Sequence, residues 1–290
     1  MDTLQVLILG LLLGGVYALM AMGLTLLFGV MQVVNLAHAA FIILAAYIAW
    51  MTSRRFGIDP FLSIPITMTL MFLLGILVYS ALFPRITGSS RYVEMTVLLT
   101  FALALITEGV MGYFFTGTYR SLSPPYASQV FFVGPILVPK GQLYASLLSV
   151  ALLIMLGAFL QFTRTGYAIR ATMQNRTAAQ IVGVNVQRVS AIAFGIGLAL
   201  AGAAGSLMSF LFTFFPGAHW RWIAVLLSLV VLGGLGSLTG ALVGALLLGA
   251  ASSYVSSLFG ATWSPLTFFI ALFVILLVRK EGLLGKEVEA

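Results

Sequence analysis

RTGYAIRATMQNRTAAQIVGVNVQR, residues 164–188, is the longest polar interval in a mostly apolar chain, and it carries Arg164, Arg170, Arg176 and Arg188 with no acid among them. Arginines gathered between two apolar stretches place the interval on the cytoplasmic face of a membrane. A helix runs from about Tyr167, and Gly183 is placed to stop it, because glycine takes the left-handed conformation at little cost. Asn185 has the position of an N-cap, its side-chain oxygen accepting a backbone N–H one turn on. The expectation is a short amphipathic helix, a break, and a new apolar helix from near Val186. Two uses fit such a piece: resting on anionic lipid, or being docked from below by another protein through Tyr167, Ile169, Met173, Ile181 and Val182.

Of 290 residues, 61% are hydrophobic and 7% charged, against about a quarter charged in soluble domains. The chain reads as an all-α polytopic membrane protein. A span takes roughly 20 apolar residues, which gives eight or nine spans with short connections and no room for a soluble domain. ATP-driven or solute-capturing machinery must come from other chains, and there is no G-x-x-x-x-G-K-[ST] phosphate loop. The absence of cysteine excludes disulfides and thiolate metal centres. His38 and His219 are too few for a metal cluster, so no cofactor and no catalytic residue is expected. The first basic residue is Arg54, so the first apolar segment lacks the charged start of a cleavable signal peptide and is expected to stay. The net charge of +7 fits cytoplasmic loops without a nucleic-acid partner.

Along the chain, spans are expected at 4–28, with Gly10 and Gly14 spaced for close helix approach, then from within VNLAHAAFIILAAYIAW to about Trp50, with Asn35 and His38 at its polar mouth. A loop holding Arg54, Arg55, Gly57, Asp59 and Pro60 follows. Further spans are expected at 61–83, 95–115 (containing Glu108), 143–162 and 189–212. Residues 116–141, with Pro124, Pro125, Pro135 and Pro139 and the β-prone run at 130–133, read as an extracytoplasmic cap. The tract 223–259 is too long for one helix and breaks at GGLGSLTG, residues 233–240. A re-entrant hairpin there would change the span count. The last span is 266–278. Nine spans put the N-terminus outside, with Arg85, Arg91, Arg164, Arg170, Arg176, Arg188, Arg279, Lys280 and Lys286 inside and Arg54, Arg55, Arg120, Lys140 and Arg221 outside.

Glu108 is the only carboxylate well inside an expected span, and burying it charged costs about 2.5–3.5 kcal/mol or more. It is either a polar point or gate in a translocation path, or a hydrogen-bonding partner for a neighbouring helix. An autonomous carrier would couple to H⁺ or Na⁺ through it. Asn35 and His38 share a helical face; they shape the cytoplasmic end of a path, or Asn35 caps the second helix. Gly233, Gly234 and Gly236 either expose backbone to solute at membrane depth or serve packing, with Gly236, Gly240 and Gly244 as a small-residue stripe. Thr100, Thr107 and Thr116 line a polar strip with Glu108 or bond back to their own helix.

GGVYALMAMGLTLLFGVMQVVNLAHAAFIILAAY (14–47), VVLGGLGSLTGALVGALLLG (230–249) and GYAIRATMQNRTAAQIVGVNVQRV (166–189) together resemble the permeases of branched-chain amino acid ABC transporters, and the length resembles the smaller of the two permease types. Ala39 stands where that family often has glycine after the histidine. The resemblance implies two permease subunits forming the path, two ATPase subunits beneath, and a periplasmic binding protein delivering solute across a bacterial inner membrane. It implies a coupling helix in 164–188 carrying Tyr167, Arg170, Met173, Arg176, Ile181 and Gly183. Arg170 and Arg176 would meet acids on the ATPase, and Met173 and Ile181 would fill its groove. The solute would be a branched-chain or other hydrophobic amino acid, although the same family also moves amides, urea and aromatic acids. An intramembrane enzyme would need a nucleophile–base or metal cluster, which the sequence does not offer.

Overall fold

The structure, a computed structural model, describes residues 3–279 and 281–285; Lys280 and Lys286 lie outside them. Apolar runs become helices because in a bilayer each backbone N–H and C=O must be paired within its own segment. The described residues form α1 (Thr3–Met31), α2 (His38–Phe56), α3 (Pro60–Leu82), α4 (Tyr92–Phe115), α5 (Lys140–Phe162), α6 (Arg164–Gln174), α7 (Arg176–Ile181), α8 (Val186–Leu211), α9 (His219–Gly233), α10 (Leu238–Phe259) and α11 (Ser264–Val278), with one hairpin, β1 (Val130–Val133) and β2 (Ile136–Pro139). Eight helical segments are long and apolar enough to cross a membrane, so the chain is an all-α polytopic membrane protein. α2 is not one of the eight. It starts at His38 and ends at Phe56, close before Asp59, whose Oδ1 accepts the Tyr126 hydroxyl of the cap at 3.0 Å.

Two shells follow from burial. Two thirds or more of the most apolar window is buried in α1, α8 and α9, against 17% in α4 and 11% in the segment containing α11. Apolar helices gain little by leaving lipid for each other, so close backbone packing must hold them. α8 supplies it on three faces. A Cβ on Gly202 would lie 2.7 Å from the Thr67 carbonyl of α3, and one on Gly197 would lie 2.9 Å from Leu27 of α1. Gly205 faces Ile42 and Ala45 of α2. Ser206 adds a polar contact, its Oγ 2.8 Å from Thr67 Oγ1. The expected role of Gly10 and Gly14 holds. A Cβ on Gly10 would be 2.7 Å from Ala250 Cα, and one on Gly14 2.9 Å from Leu246 Cα, so α1 lies against α10 backbone to backbone.

Three boundaries differ from expectation. α2 continues through Arg54 and Arg55 to Phe56 because basic residues suit the last turn of a helix, and Gly57 closes it at φ +67°. The basic interval holds two helices, since Asn175 leaves the helical region at φ −155° and caps α7 by accepting Ala178 N–H at 2.9 Å. Gly236, at φ +78°, lies in the turn before α10 and not on the packing stripe, which begins at Gly240.

At the end opposite the basic interval, residues 116–139 form a cap. β1 and β2 pair antiparallel, and Arg120 and Phe214 exchange backbone hydrogen bonds at 2.8 and 2.9 Å. Asp59 also caps α3, accepting Phe61 N–H at 2.8 Å. Burial, with the charge and hydrogen bond of Asp59 added, pushes the Tyr126 phenol well above its ordinary range.

Candidate translocation and coupling sites

The basic interval is a shelf under the bundle. Thr163 caps α6 by accepting Gly166 N–H at 2.9 Å. Gly166 allows the sharp turn from α5, since a Cβ there would be 2.6 Å from Leu160 Cα. Ile169 and Thr172 are buried against the bundle while Tyr167 is 55% exposed, with the Arg170 guanidinium 5.0 Å from its ring centroid. Ile181 and Val182 are 81% and 78% exposed, and Gly183 ends the shelf at φ +88°. Asn185 caps α8 as expected, accepting Arg188 N–H at 3.0 Å. Among the described residues no carboxylate pairs with Arg164, Arg170, Arg176 or Arg188. Met173 does not point away from the bundle with Ile181; its thioether is seated on Gly29 of α1.

The glycine-rich break sits at this same end. Gly233 of α9 packs on Gly240 of α10, and Gly236 lies on Gly29. Residues after Arg279 close over the break: Leu283 N–H donates to the Leu232 carbonyl at 2.8 Å and Leu284 N–H to the Gly233 carbonyl at 3.1 Å. Gly234, at φ +102°, makes room for this tail. The break is thus a capped turn between neighbouring helices at the basic end, with the Leu232, Gly233 and Gly234 carbonyls engaged. Irregular backbone at membrane depth occurs instead at 32–37, where Val33, Asn35 and Ala37 are buried.

Asn35 and His38 therefore lie inside the bundle, not at its mouth. Asn35 Oδ1 accepts Ala37 N–H at 3.1 Å, and His38 N–H donates to the Asn35 carbonyl at 3.2 Å. The His38 ring is fully buried, with Nε2 3.2 Å from the Met20 carbonyl. A carbonyl only accepts, so Nε2 carries the proton. A Cβ on Gly23 would be 2.7 Å from His38 Cε1 and 2.6 Å from the Gly197 carbonyl. α1, α2 and α8 cross at that point, about 12 Å above the Met31 end of α1 at 1.5 Å per residue.

Glu108 stands near the opposite end, on the open side of α4. Trp220 Nε1–H donates to its Oε2 at 3.1 Å, and His219 Nε2 lies 3.8 Å from the same oxygen. His219 is fully buried, with Nδ1 3.0 Å from the Pro216 carbonyl. The carboxylate borders an open cavity of about 570 Å³ with Leu105, Gly109, Gly112, Phe215 and Gly217. The threonines bond back to their own helix: Thr100 Oγ1 to the Val97 carbonyl at 3.1 Å and Thr107 Oγ1 to Leu103 at 2.7 Å, with Thr116 Oγ1 on Phe115. His219 and Trp220 were not anticipated as partners of Glu108. They stand more than a hundred positions away, and the only local signal was aromatic and polar residues crowded between Phe215 and Trp222.

These features meet known proteins at one place. The model of the family described as branched-chain amino acid transport system, permease component, matches residues 6–278. The probable branched-chain amino acid transport permease protein LivH of Methanocaldococcus jannaschii is 30% identical, over 93% of this chain and 88% of that one. The high-affinity branched-chain amino acid transport system permease proteins BraD of Pseudomonas aeruginosa and LivH of Escherichia coli are each 27% identical, over 99% of this chain and 97% of theirs. No solved structure matches the chain. With its polytopic helical bundle and a match over nearly its whole length, the chain belongs to the family of permease components of branched-chain amino acid transport systems.

Proposed function

We propose that this chain is one of two permease subunits of an ATP-driven importer for branched-chain or other hydrophobic amino acids. Two ATPase subunits bind from the cytoplasmic side, and a periplasmic binding protein delivers solute to the capped end. The chain itself makes and breaks no covalent bond; ATP is hydrolysed by the partners, and their movement alternately opens the path to either side. The observation that carries this reading is the shelf α6–α7. It offers arginines that no carboxylate pairs with among the described residues and the exposed side chains of Tyr167, Ile181 and Val182, and it is keyed to the membrane helices by Met173 on Gly29. An apolar anchor ringed by cations suits docking of a helix or loop into an acidic groove. Arg170 and Arg176 supply the charge, and Gly183 sets the turn that returns the chain to the membrane.

The test is affinity purification of the tagged chain in mild detergent, with ATPase and second permease counted by quantitative mass spectrometry. Both are expected to accompany the wild-type chain. Ile181→Glu with Val182→Glu should reduce the ATPase at least tenfold and leave the second permease in place. Labelled leucine uptake into vesicles made without any ATPase subunit would overturn the reading.

A further inference from the structure

We propose that Glu108, backed by His219, is a binding site for a primary ammonium group: that of an aliphatic amino acid moving along the open side of α4. The inference rests on the permease reading for its cargo, while its chemistry comes from the side chains. A carboxylate has about four acceptor positions, and among the described residues Glu108 receives one hydrogen bond, from Trp220 Nε1–H. His219 gives it no hydrogen bond: Nδ1 lies 3.0 Å from the Pro216 carbonyl, and Nε2, buried and 3.8 Å from Oε2, has no hydrogen-bond partner among the described residues. The carboxylate therefore keeps open acceptor positions, and no lysine or arginine pairs with it among the described residues. A ligand that brings N–H groups and positive charge answers both.

Position argues the same way. Glu108 lies seven residues before the end of α4 at Phe115, about 10 Å into the span, where a charge facing lipid is expensive. The carboxylate must therefore meet water or a cation. A hard metal ion requires roughly six oxygen ligands, and no group of three or more His, Asp or Glu side chains stands together among the described residues. The walls suit an organic cation. Phe215 supplies aromatic surface and Leu105 an aliphatic contact, while the Trp220 indole holds the carboxylate from beside the cavity. A Cβ on Gly109 or Gly112 would touch nothing within 4 Å, so the floor is open, while one on Gly217 would sit 3.2 Å from Glu108 Oε1. Gly217 thus keeps the carboxylate accessible.

The chain has no cysteine, which allows a direct test. Leu105→Cys is introduced at the groove, the intact complex is purified, and the rate of reaction with a cationic methanethiosulfonate is followed on this chain by mass spectrometry. Millimolar L-leucine and 3-methylbutylamine are each expected to slow labelling at least fivefold, and 4-methylpentanoate, which lacks the amine, to leave it unchanged. Glu108→Gln should abolish the protection. Gly217→Ala, which crowds Oε1 without removing charge, should weaken it, and serves if the glutamine variant fails to assemble. Protection by 4-methylpentanoate, protection that survives both variants, or no protection by the amine would overturn the site. So would a cysteine that never reacts, because a neighbouring chain would then already fill the groove. Amine protection in a complex that imports no leucine would retain the site and refute the permease reading; leucine import without protection would do the reverse.

Discussion

Replacing Gly202 by alanine tests whether the bundle is held by backbone contact. The new Cβ would lie 2.7 Å from the Thr67 carbonyl oxygen, 2.9 Å from its carbon and 3.1 Å from Met68 Cα. Carbon pairs rest at about 3.5–4.0 Å, so α3 and α8 must separate by most of an ångström, and no rotamer can relieve a clash with backbone. Overpacking of this kind costs about 1–3 kcal/mol. Gly157→Ala in α5 is the control, because its Cβ would meet nothing within 4 Å. Both variants gain the same helix propensity, about 1 kcal/mol, so their difference isolates the packing term. About 2 kcal/mol at about 3 °C per kcal/mol separates their melting temperatures by roughly 6 °C, with Gly202→Ala the lower. Tryptophan fluorescence of the purified chain during heating in detergent reads this gap. Equal melting temperatures, or a lower one for Gly157→Ala, would refute the close-contact argument.

Asp59→Ala removes the α3 cap and the acceptor for Tyr126, and is expected to cost about 3 kcal/mol from a cap of about 1 and a charged hydrogen bond of about 2; Asp59→Asn should recover the cap share in the same melting assay. The phenol of Tyr126 is raised above 10.0 in the folded chain, so the stability it contributes is complete below pH 10 and is lost as the pH rises through the folded value. Tyr126→Phe should accordingly flatten the part of the alkaline fall in melting temperature that begins above about pH 10. Met173→Ala opens space over Gly29 without touching the exposed face of the shelf. ATPase recovery should stay within about twofold while solute moved per ATP falls severalfold, since a half-packed methionine contributes less than the 2–5 kcal/mol of a buried one.

Long apolar runs made most spans legible, and glycine and asparagine made two boundaries so: Gly183 and Asn185 end the shelf and begin α8 as their chemistry dictates. Gly10 and Gly14 announced a close helix contact, but nothing local revealed that α10 was the partner. Asn175 was missed as a second cap because its surroundings are helix-forming on both sides. The depth of His38 was hidden for a different reason. Asn35 and His38 are the polar residues at the start of a short apolar run and so read as its mouth, and only tertiary packing carries them into the bundle. At Gly233–Gly234 the glycines allow either exposed backbone or close packing; the packing on Gly240 is there, while the tail near Leu283 that takes the Leu232 and Gly233 carbonyls comes from some fifty residues further on. Glu108 stood out from its apolar neighbours; the pair at His219 and Trp220 came from topology.

Gly29 is touched from two directions, by Met173 and by Gly236, at the foot of a helix of 29 residues. Such a helix is about 43 Å long, and its glycines lock it to α10 far from that foot, where Ser253 Oγ also reaches the Val6 carbonyl at 3.1 Å. A thrust delivered from beneath thus meets a stiff rod with no slack at its heel, and tilting that rod must swing its far tip together with α10.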